Sequence, residues 1–193
     1  MDEILLRKLD DKKVIDGYAS VFNHESKRII EKGKMFIEVI REGAFDETDF
    51  SNTVANINHD DNKLLARNKS NTLQLSIDER GLKYTFEIPD TQLGRDTGIM
   101  IERGDYFESS FRFIEDKSKT EWKRIDGQLY KYINRILKVN DISIVTNGAY
   151  TSTDISVKEL EQVERNITEI ENKDKNEDKY SNRKYELAIL KIK

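Results

Sequence analysis

The 193-residue chain contains no cysteine, which excludes disulfide scaffolds, thiolate metal sites and cysteine nucleophiles. It has only two histidines, His24 and His59, and a zinc site usually takes about three or four nitrogen or sulfur ligands. No run of about 18 apolar residues is present, so the sequence predicts no membrane-spanning helix. The first segment, MDEILLRKLDDKK, carries acids where a secretory signal has a basic region. We therefore expect a soluble protein of the reducing cytoplasm.

Charge and glycine placement exclude further classes of protein. Thirty-three basic residues against 37 acidic ones give a net charge of −4, whereas a general nucleic-acid binder normally carries a basic excess. The nine glycines are scattered singly, so no phosphate loop or dinucleotide fingerprint is formed, and no zinc motif occurs. The sequence accordingly predicts no cofactor, no metal, no nucleic-acid partner and no membrane partner.

Composition divides the chain near residue 157. All nine glycines, the single proline, the single tryptophan and all eight phenylalanines lie in residues 1–157. Residues 158–193 hold nine acids and nine bases, and they have too few large apolar groups to build a core. We therefore predict one domain over residues 1–157, followed by a charged, partly disordered tail over residues 158–193.

The first part of the chain is typical of strands. Residues 14–22 alternate, and residues 35–40 form a second short run. Residues 72–77 and 82–88 alternate on either side of a turn at residues 78–81, which predicts a hairpin. Further strands are predicted in four segments: 107–114, 122–125, 129–139 and 142–145. Asp126-Gly127 would form another hairpin turn. The predicted fold class is mainly β with a few helices, that is, α+β.

Three segments carry helix signals. Thr91–Glu102 is preceded by Asp90 or Thr91 as a possible cap and followed by Gly104. Residues 42–50 could form a second, short helix. An apolar stripe in the tail predicts an amphipathic helix from about residue 156 to residue 171. Its members are Leu160, Val163, Ile167 and Ile170. This helix could pack on its own domain or a partner copy, or could serve as a removable docking tail.

Histidine and serine provide the candidates for chemistry. His59 follows an alternating stretch and would be held at the end of a strand, whereas His24 follows a strand in a polar turn. Ser109 and Ser110 lie in an aromatic-rich strand, where only one of two neighbours can face a given side. A serine becomes a nucleophile only with a base within hydrogen-bond reach. Less constrained alternatives are Thr91, Ser143 and Thr146, and no nucleophile-elbow motif is present.

A third group would be needed to orient the base of such a site. Asp141 stands between two predicted apolar strands and is the acid best positioned for partial burial. Asp60 and Asp61 adjoin His59 but would point away from a side chain at a strand end. Glu38 is another acid within a strand.

Seven blocks, taken in order, resemble the tailed-phage prohead maturation protease family. Their order and spacing over roughly 70% of the chain make the resemblance specific. The blocks are GYASVFN (17–23), EVIREGAF (38–45), NHD (58–60), LQLSIDERGL (73–82), PDTQLGRD (89–96), ERGDYFESSF (102–111) and DISIVTNGAY (141–150).

The resemblance implies a serine endopeptidase with a β-barrel fold related to the herpesvirus assembly proteases. It implies His59 as the general base, Ser110 as the nucleophile and Asp141 as the acid. A Ser-His-His arrangement like that of the herpesvirus enzymes would instead need His24, which lies in an exposed-looking turn, so a carboxylate is preferred. Such an enzyme would cleave scaffold, the N-terminal segments of capsid precursor and itself, inside the assembling prohead in the host cytoplasm. By analogy with the herpesvirus enzymes a homodimer is expected, and the helical tail would suit a cleavable recruitment segment.

Three positions depart from the family pattern. Arg112 and Ala66 stand where glycine is common, and Gly148 stands where proline precedes Ala-Tyr. Arg112 lies two residues from the predicted nucleophile, so either its side chain or a backbone amide could stabilise the oxyanion. Two rival hypotheses remain: a non-catalytic capsid assembly or scaffolding protein that retains the fold, and an unrelated small hydrolase or esterase.

Overall fold

The computed structural model describes residues 13–31 and 33–149 in full and the backbone of residues 155–159. The described chain comprises twelve strands, one α-helix and two single-turn 3-10 helices, at Asn68–Ser70 and Lys117–Lys119. The strands and the helix are, in chain order, β1 (Lys13–Val21), β2 (Ile29–Glu31), β3 (Lys34–Ile40), β4 (Val54–Ile57), β5 (Asp60–Arg67), β6 (Gln74–Ile77), β7 (Gly81–Glu87), α1 (Gln92–Glu102), β8 (Glu108–Glu115), β9 (Thr120–Ile125), β10 (Gln128–Ile133), β11 (Ile136–Val145) and β12 (Ile155–Glu159).

The strands are arranged in three four-stranded sheets, with the orders β12-β1-β7-β6, β2-β3-β10-β9 and β5-β4-β11-β8. Strands β3 and β10 run parallel, as do β4 and β11, whereas β8 runs antiparallel to β11. The mainly β class is therefore confirmed. Among the described residues no closed barrel is found, because six strands (β12, β6, β2, β9, β5 and β8) lie at sheet edges and a barrel requires closure of the sheet.

Both predicted hairpins are present. Strands β6 and β7 pair antiparallel, and the Asp78 carboxylate accepts hydrogen bonds from the backbone N–H groups of Arg80 and Gly81. Strands β9 and β10 are joined through Asp126 and Gly127, which have φ values of 46° and 82°. Positive φ at both central residues is the requirement of a type I′ turn, and Asp-Gly satisfies it at low steric cost.

Of the predicted helices, α1 is confirmed. The Thr91 hydroxyl caps its N-terminus by accepting the backbone N–H of Gly94 at 3.0 Å. The helix predicted over residues 42–50 is wrong, because Gly43 adopts φ 80° and this segment forms a series of turns. The predicted start of the tail helix, at about residue 156, is also wrong, since Ile155–Glu159 is a strand. The rest of that predicted helix lies outside the described residues.

The strand boundaries around Asp141 also differ from those predicted. The predicted strand over residues 129–139 is interrupted between β10 and β11, and β11 continues without a break through Asp141 to Val145. Asp141 therefore lies inside a central strand of its sheet, fully buried, and not in a connection between two strands.

One hydrophobic core joins the three sheets. Its members include Ile15 of β1, Ile40 of β3, Ile57 of β4 and Ile142 of β11, and each is at most 3% exposed. Full burial of an aliphatic side chain contributes roughly 1.5–3 kcal/mol to stability. No helix in the described part of the chain combines the length and apolar character needed to cross a membrane.

Lys13–Val157 forms one compact unit. The interpretation of residues 1–157 as a protease domain, with a separate tail over residues 158–193, stays a prediction.

Candidate active site

A two-residue turn between β4 and β5 presents His59. Ile57 pairs with Asp60, and the two residues between them, Asn58 and His59, have φ values of 50° and 56°. These are the angles of a type I′ turn, for which Asn-Gly is the preferred sequence. Asn and His occupy the left-handed region more readily than most residues, but at a cost that glycine avoids. The histidine therefore occupies a position that local stability alone would assign to glycine.

Strand β11 holds this turn in place. The backbone N–H of His59 donates to the hydroxyl of Ser143 at 2.8 Å, and the backbone N–H of Asn58 donates to the carbonyl of Ile144 at 2.9 Å. Ser143 is fully buried. Because both amides of the turn are bound to the same neighbouring strand, the backbone carrying the imidazole is attached to the centre of the sheet.

The register of β8 against β11 determines which serine meets His59. Ser143 lies opposite Ser110, and Asp141 lies opposite Arg112. Successive side chains of a strand point to opposite faces, so Ser110 and Arg112 share the face that carries Asp141. Ser109 points to the other face, where it is fully buried and its hydroxyl lies 2.7 Å from that of Tyr84.

The three residues predicted from the sequence are brought together. Nε2 of His59 lies 3.1 Å from Oγ of Ser110, and Nδ1 lies 2.7 Å from Oδ1 of Asp141. An ionised carboxylate can only accept, so the Nδ1 proton is donated to Asp141 and the neutral imidazole has Nε2 free to accept the Ser110 proton. The side chain of His59 is 29% exposed and that of Asp141 is completely buried.

Arg112 binds the other oxygen of Asp141. Its Nε donates to Oδ2 of Asp141, and a terminal nitrogen donates to Oδ1 of Asp61 at 2.7 Å. Burial lowers the pKa of the Arg112 guanidinium, but the hydrogen bonds and charges of Asp141 and then of Asp61 outweigh this effect and raise the pKa. Arg112 thus neutralises a buried carboxylate. This arrangement disfavours its alternative role as an oxyanion donor.

The remaining candidates lie elsewhere or act differently. Nδ1 of His24 bonds the Phe22 carbonyl at 2.9 Å, and Glu38 pairs with Lys131 at 3.0 Å. Thr91 caps α1, and Thr146 follows the last residue of β11. Asp60 accepts the backbone N–H of Asn62, which lowers the pKa of its carboxyl group. Within the described residues, no cluster of three or more His, Asp or Glu side chains could hold a metal ion.

Two features of the site were missed in the sequence. The contact of Ser143 with the backbone of His59 depends on the register of β4 and β11, which are 84 residues apart at this contact and carry no short-range signal. The left-handed turn had a weak signal, since an asparagine follows an apolar strand directly before His59 and asparagine is the preferred first residue of a type I′ turn.

A serine hydroxyl, an imidazole and a buried carboxylate joined in this order form the arrangement that serine hydrolases of unrelated folds use for acyl transfer. The sequence model of the caudovirus prohead serine protease family matches residues 2–166. The chain therefore belongs to that family. No curated protein matches the chain at a significant level.

Proposed function

We propose that the chain is a prohead serine endopeptidase in which Ser110 is the nucleophile, His59 the general base and Asp141 the orienting acid. The observation that carries this proposal is the hydrogen-bonded series from Oγ of Ser110 through the imidazole of His59 to the buried Asp141, with distances of 3.1 and 2.7 Å. The family match supports a protease role independently of this geometry.

In the proposed mechanism, Oγ of Ser110 attacks the scissile carbonyl while its proton moves to Nε2 of His59. The C–N bond then breaks, and the imidazolium returns the proton to the leaving amine. A water molecule, deprotonated by the same nitrogen, hydrolyses the acyl-enzyme and releases Ser110. Asp141 keeps the proton on Nδ1 and stabilises the imidazolium, while Arg112 compensates the second oxygen of that carboxylate.

The family suggests the setting of the reaction. We infer that the substrates are scaffold and the N-terminal segments of capsid precursor, cleaved inside the assembling prohead in the host cell, and that the enzyme also cleaves itself. Dimerisation and removal of the tail over residues 158–193 belong to the same proposal, as does an absence of nucleic-acid and membrane partners. A charged tail suits recruitment to an assembling core followed by release.

Co-expression with the capsid precursor of the same phage tests this function. We expect the wild-type chain to shorten the precursor, Ser110→Ala to leave it intact and Ser109→Ala to cleave it, with products identified by N-terminal sequencing. Ser109→Ala is the matched control, because it removes the neighbouring hydroxyl on the opposite face. An uncut precursor with the folded wild-type chain would favour the non-catalytic assembly protein instead.

A further inference from the structure

A cleft of about 530 Å³ lies on the same sheet as the Ser110 site. Its walls include Val54 of β4, Leu64 and Arg67 of β5, and Arg112 of β8. Arg112 follows Ser110 by two residues on the same face of β8, a separation of roughly 7 Å along a strand. The volume falls within the range of about 300–1,000 Å³ that is usual for ligand sites.

Three charged side chains line this cleft, and they differ in whether they are already paired. Asp61 and Arg112 both line it and are paired with each other, and Arg112 also binds the buried Asp141. Arg67 is exposed and, among the described residues, its guanidinium has no acidic partner. The positive charge that an entering group would meet is therefore that of Arg67. A guanidinium binds carboxylates by two parallel hydrogen bonds.

The other residues that line the cleft suit both the methylene groups and the carboxylate oxygens of an acidic side chain. Leu64 is 50% exposed and lies with Val54 beside Arg67, which offers apolar contact to methylene groups. The amides of Asn52 and Asn140 also line the cleft and can donate hydrogen bonds to an oxygen. Glutamate has one more methylene group than aspartate. Its methylene groups can contact the apolar residues while its carboxylate accepts hydrogen bonds from the amides.

We propose that this cleft is a substrate subsite that binds an acidic side chain, preferentially glutamate, through Arg67. The proposal rests on the peptidase function above, because the occupant is a side chain of the peptide whose scissile bond lies at Ser110. In an extended peptide, side chains two residues apart share a face and are separated by roughly 7 Å. Arg67 is three strand spacings from Arg112 across the sheet, roughly 14 Å, because Arg67 pairs with Val54, Val54 with Asp141 and Asp141 with Arg112. The preferred acid therefore lies several residues from the scissile bond.

Binding to the uncleaving full-length Ser110→Ala chain tests the subsite without requiring turnover. The probe is a set of capped 12-residue peptides that differ only by Glu, Gln or Lys at one position, titrated to millimolar concentration. We expect one position at which Glu binds about tenfold more tightly than Gln, since a charge-assisted pair is strengthened by this amount. Adding Arg67→Glu should remove that preference and favour Lys at the same position.

Lys63→Glu is the matched control, because it makes the same change of charge on β5 at a residue that pairs with Asp60 and does not line the cleft. It should alter the Glu-to-Gln ratio by less than about twofold. An equal ratio with Arg67 and with Arg67→Glu, the absence of any preferred position, or the absence of binding would overturn the proposal.

The parallel cleavage assay separates this proposal from the proposed function. Cleavage by the wild-type chain without a preference that depends on Arg67 contradicts the subsite and leaves the peptidase intact. A preference that depends on Arg67 in a chain that never cleaves supports an acid-binding cleft and contradicts the peptidase.

Discussion

The backbone N–H of His59 donates a hydrogen bond to the buried hydroxyl of Ser143, at 2.8 Å. Ser143 also lies opposite Ser110 in the pairing of β11 with β8. Ser143 of β11 thus contacts the backbone of the proposed base and also lies opposite the proposed nucleophile on the neighbouring strand. The relative position of the two reacting groups is built into the sheet.

Ser143→Ala is expected to reduce kcat for peptide cleavage by about ten- to hundredfold while changing KM by less than about twofold, because it misplaces the imidazole and leaves substrate contacts alone. Ser20→Ala is the control. Ser20 is equally buried, but among the described residues its hydroxyl has no hydrogen-bond partner, so its loss should leave activity and stability nearly unchanged. Equal effects of the two substitutions would show that Ser143 acts only through packing.

The left-handed backbone of His59 predicts an inverted order of stability between two inactive variants. His59→Gly and His59→Ala both lose the imidazole, but glycine adopts φ 56° without the steric cost of a Cβ atom. We expect the glycine variant to have a free energy of unfolding about 1 kcal/mol higher, measured by urea denaturation. Alanine normally stabilises a chain relative to glycine, so an advantage for alanine here would contradict the turn geometry.

Arg112 is expected to stabilise the site through Asp141. Arg112→Gln leaves one oxygen of a fully buried carboxylate without its charged partner, which should lower the free energy of unfolding by about 2 kcal/mol and reduce kcat. Arg95→Gln removes an arginine from an exposed pair with Asp90 and should change stability by less than about 1 kcal/mol. Similar losses of stability in the two variants would show that the contact of Arg112 with Asp141 stabilises the protein no more than an exposed ion pair does.

Much of the fold followed from local patterns in the sequence. Alternation and turn residues predicted the β6–β7 hairpin, and a cap followed by a terminating glycine predicted α1. The short helix over residues 42–50 failed because Gly43 adopts a positive φ that composition alone does not reveal. Strand β11 was divided wrongly, since a charged residue inside an apolar run resembles a break unless its buried partner is known.

The proposed site was likewise predicted only in part from the sequence. The block resemblance indicated His59, Ser110 and Asp141 by position, and the structure brings these three together. The partners of these residues depend on contacts between distant strands, such as Arg112 with Asp61 and His59 with Ser143. A pattern confined to one strand cannot register such contacts, because register between strands is a property of the assembled sheet.

A second buried charge cluster predicts how stability responds to alkaline pH. Nζ of Lys131 lies 3.0 Å from Glu38 and 3.0 Å from Glu115. Burial lowers the pKa of the Lys131 ammonium, but the charge of Glu38 and the hydrogen bonds and charge of Glu115 outweigh it and raise the pKa. A raised pKa contributes stability that is fully present below the unfolded value of about 10.5 and is lost as the pH rises through the folded value.

Lys131→Arg should therefore reduce the loss of stability above pH 10.5, by up to about 1.4 kcal/mol per pH unit, because arginine stays protonated there. The measurement is the free energy of unfolding between pH 9.5 and 12, and only its slope is compared. Lys123→Arg, at an exposed pair with Glu121, should leave the slope unchanged. A slope for Lys131→Arg equal to that of the wild type would contradict this assignment.

The central claim is that His59 activates Ser110 as a nucleophile, and the most direct test is phosphonylation of the full chain by a fluorophosphonate. Oγ of the nucleophile bonds to phosphorus, fluoride leaves, and peptide mass spectrometry locates the adduct. We predict modification at Ser110 alone, slowed about a hundredfold or more in His59→Gln. An adduct at Ser109, no adduct, or a rate that is equal in His59→Gln would contradict the account.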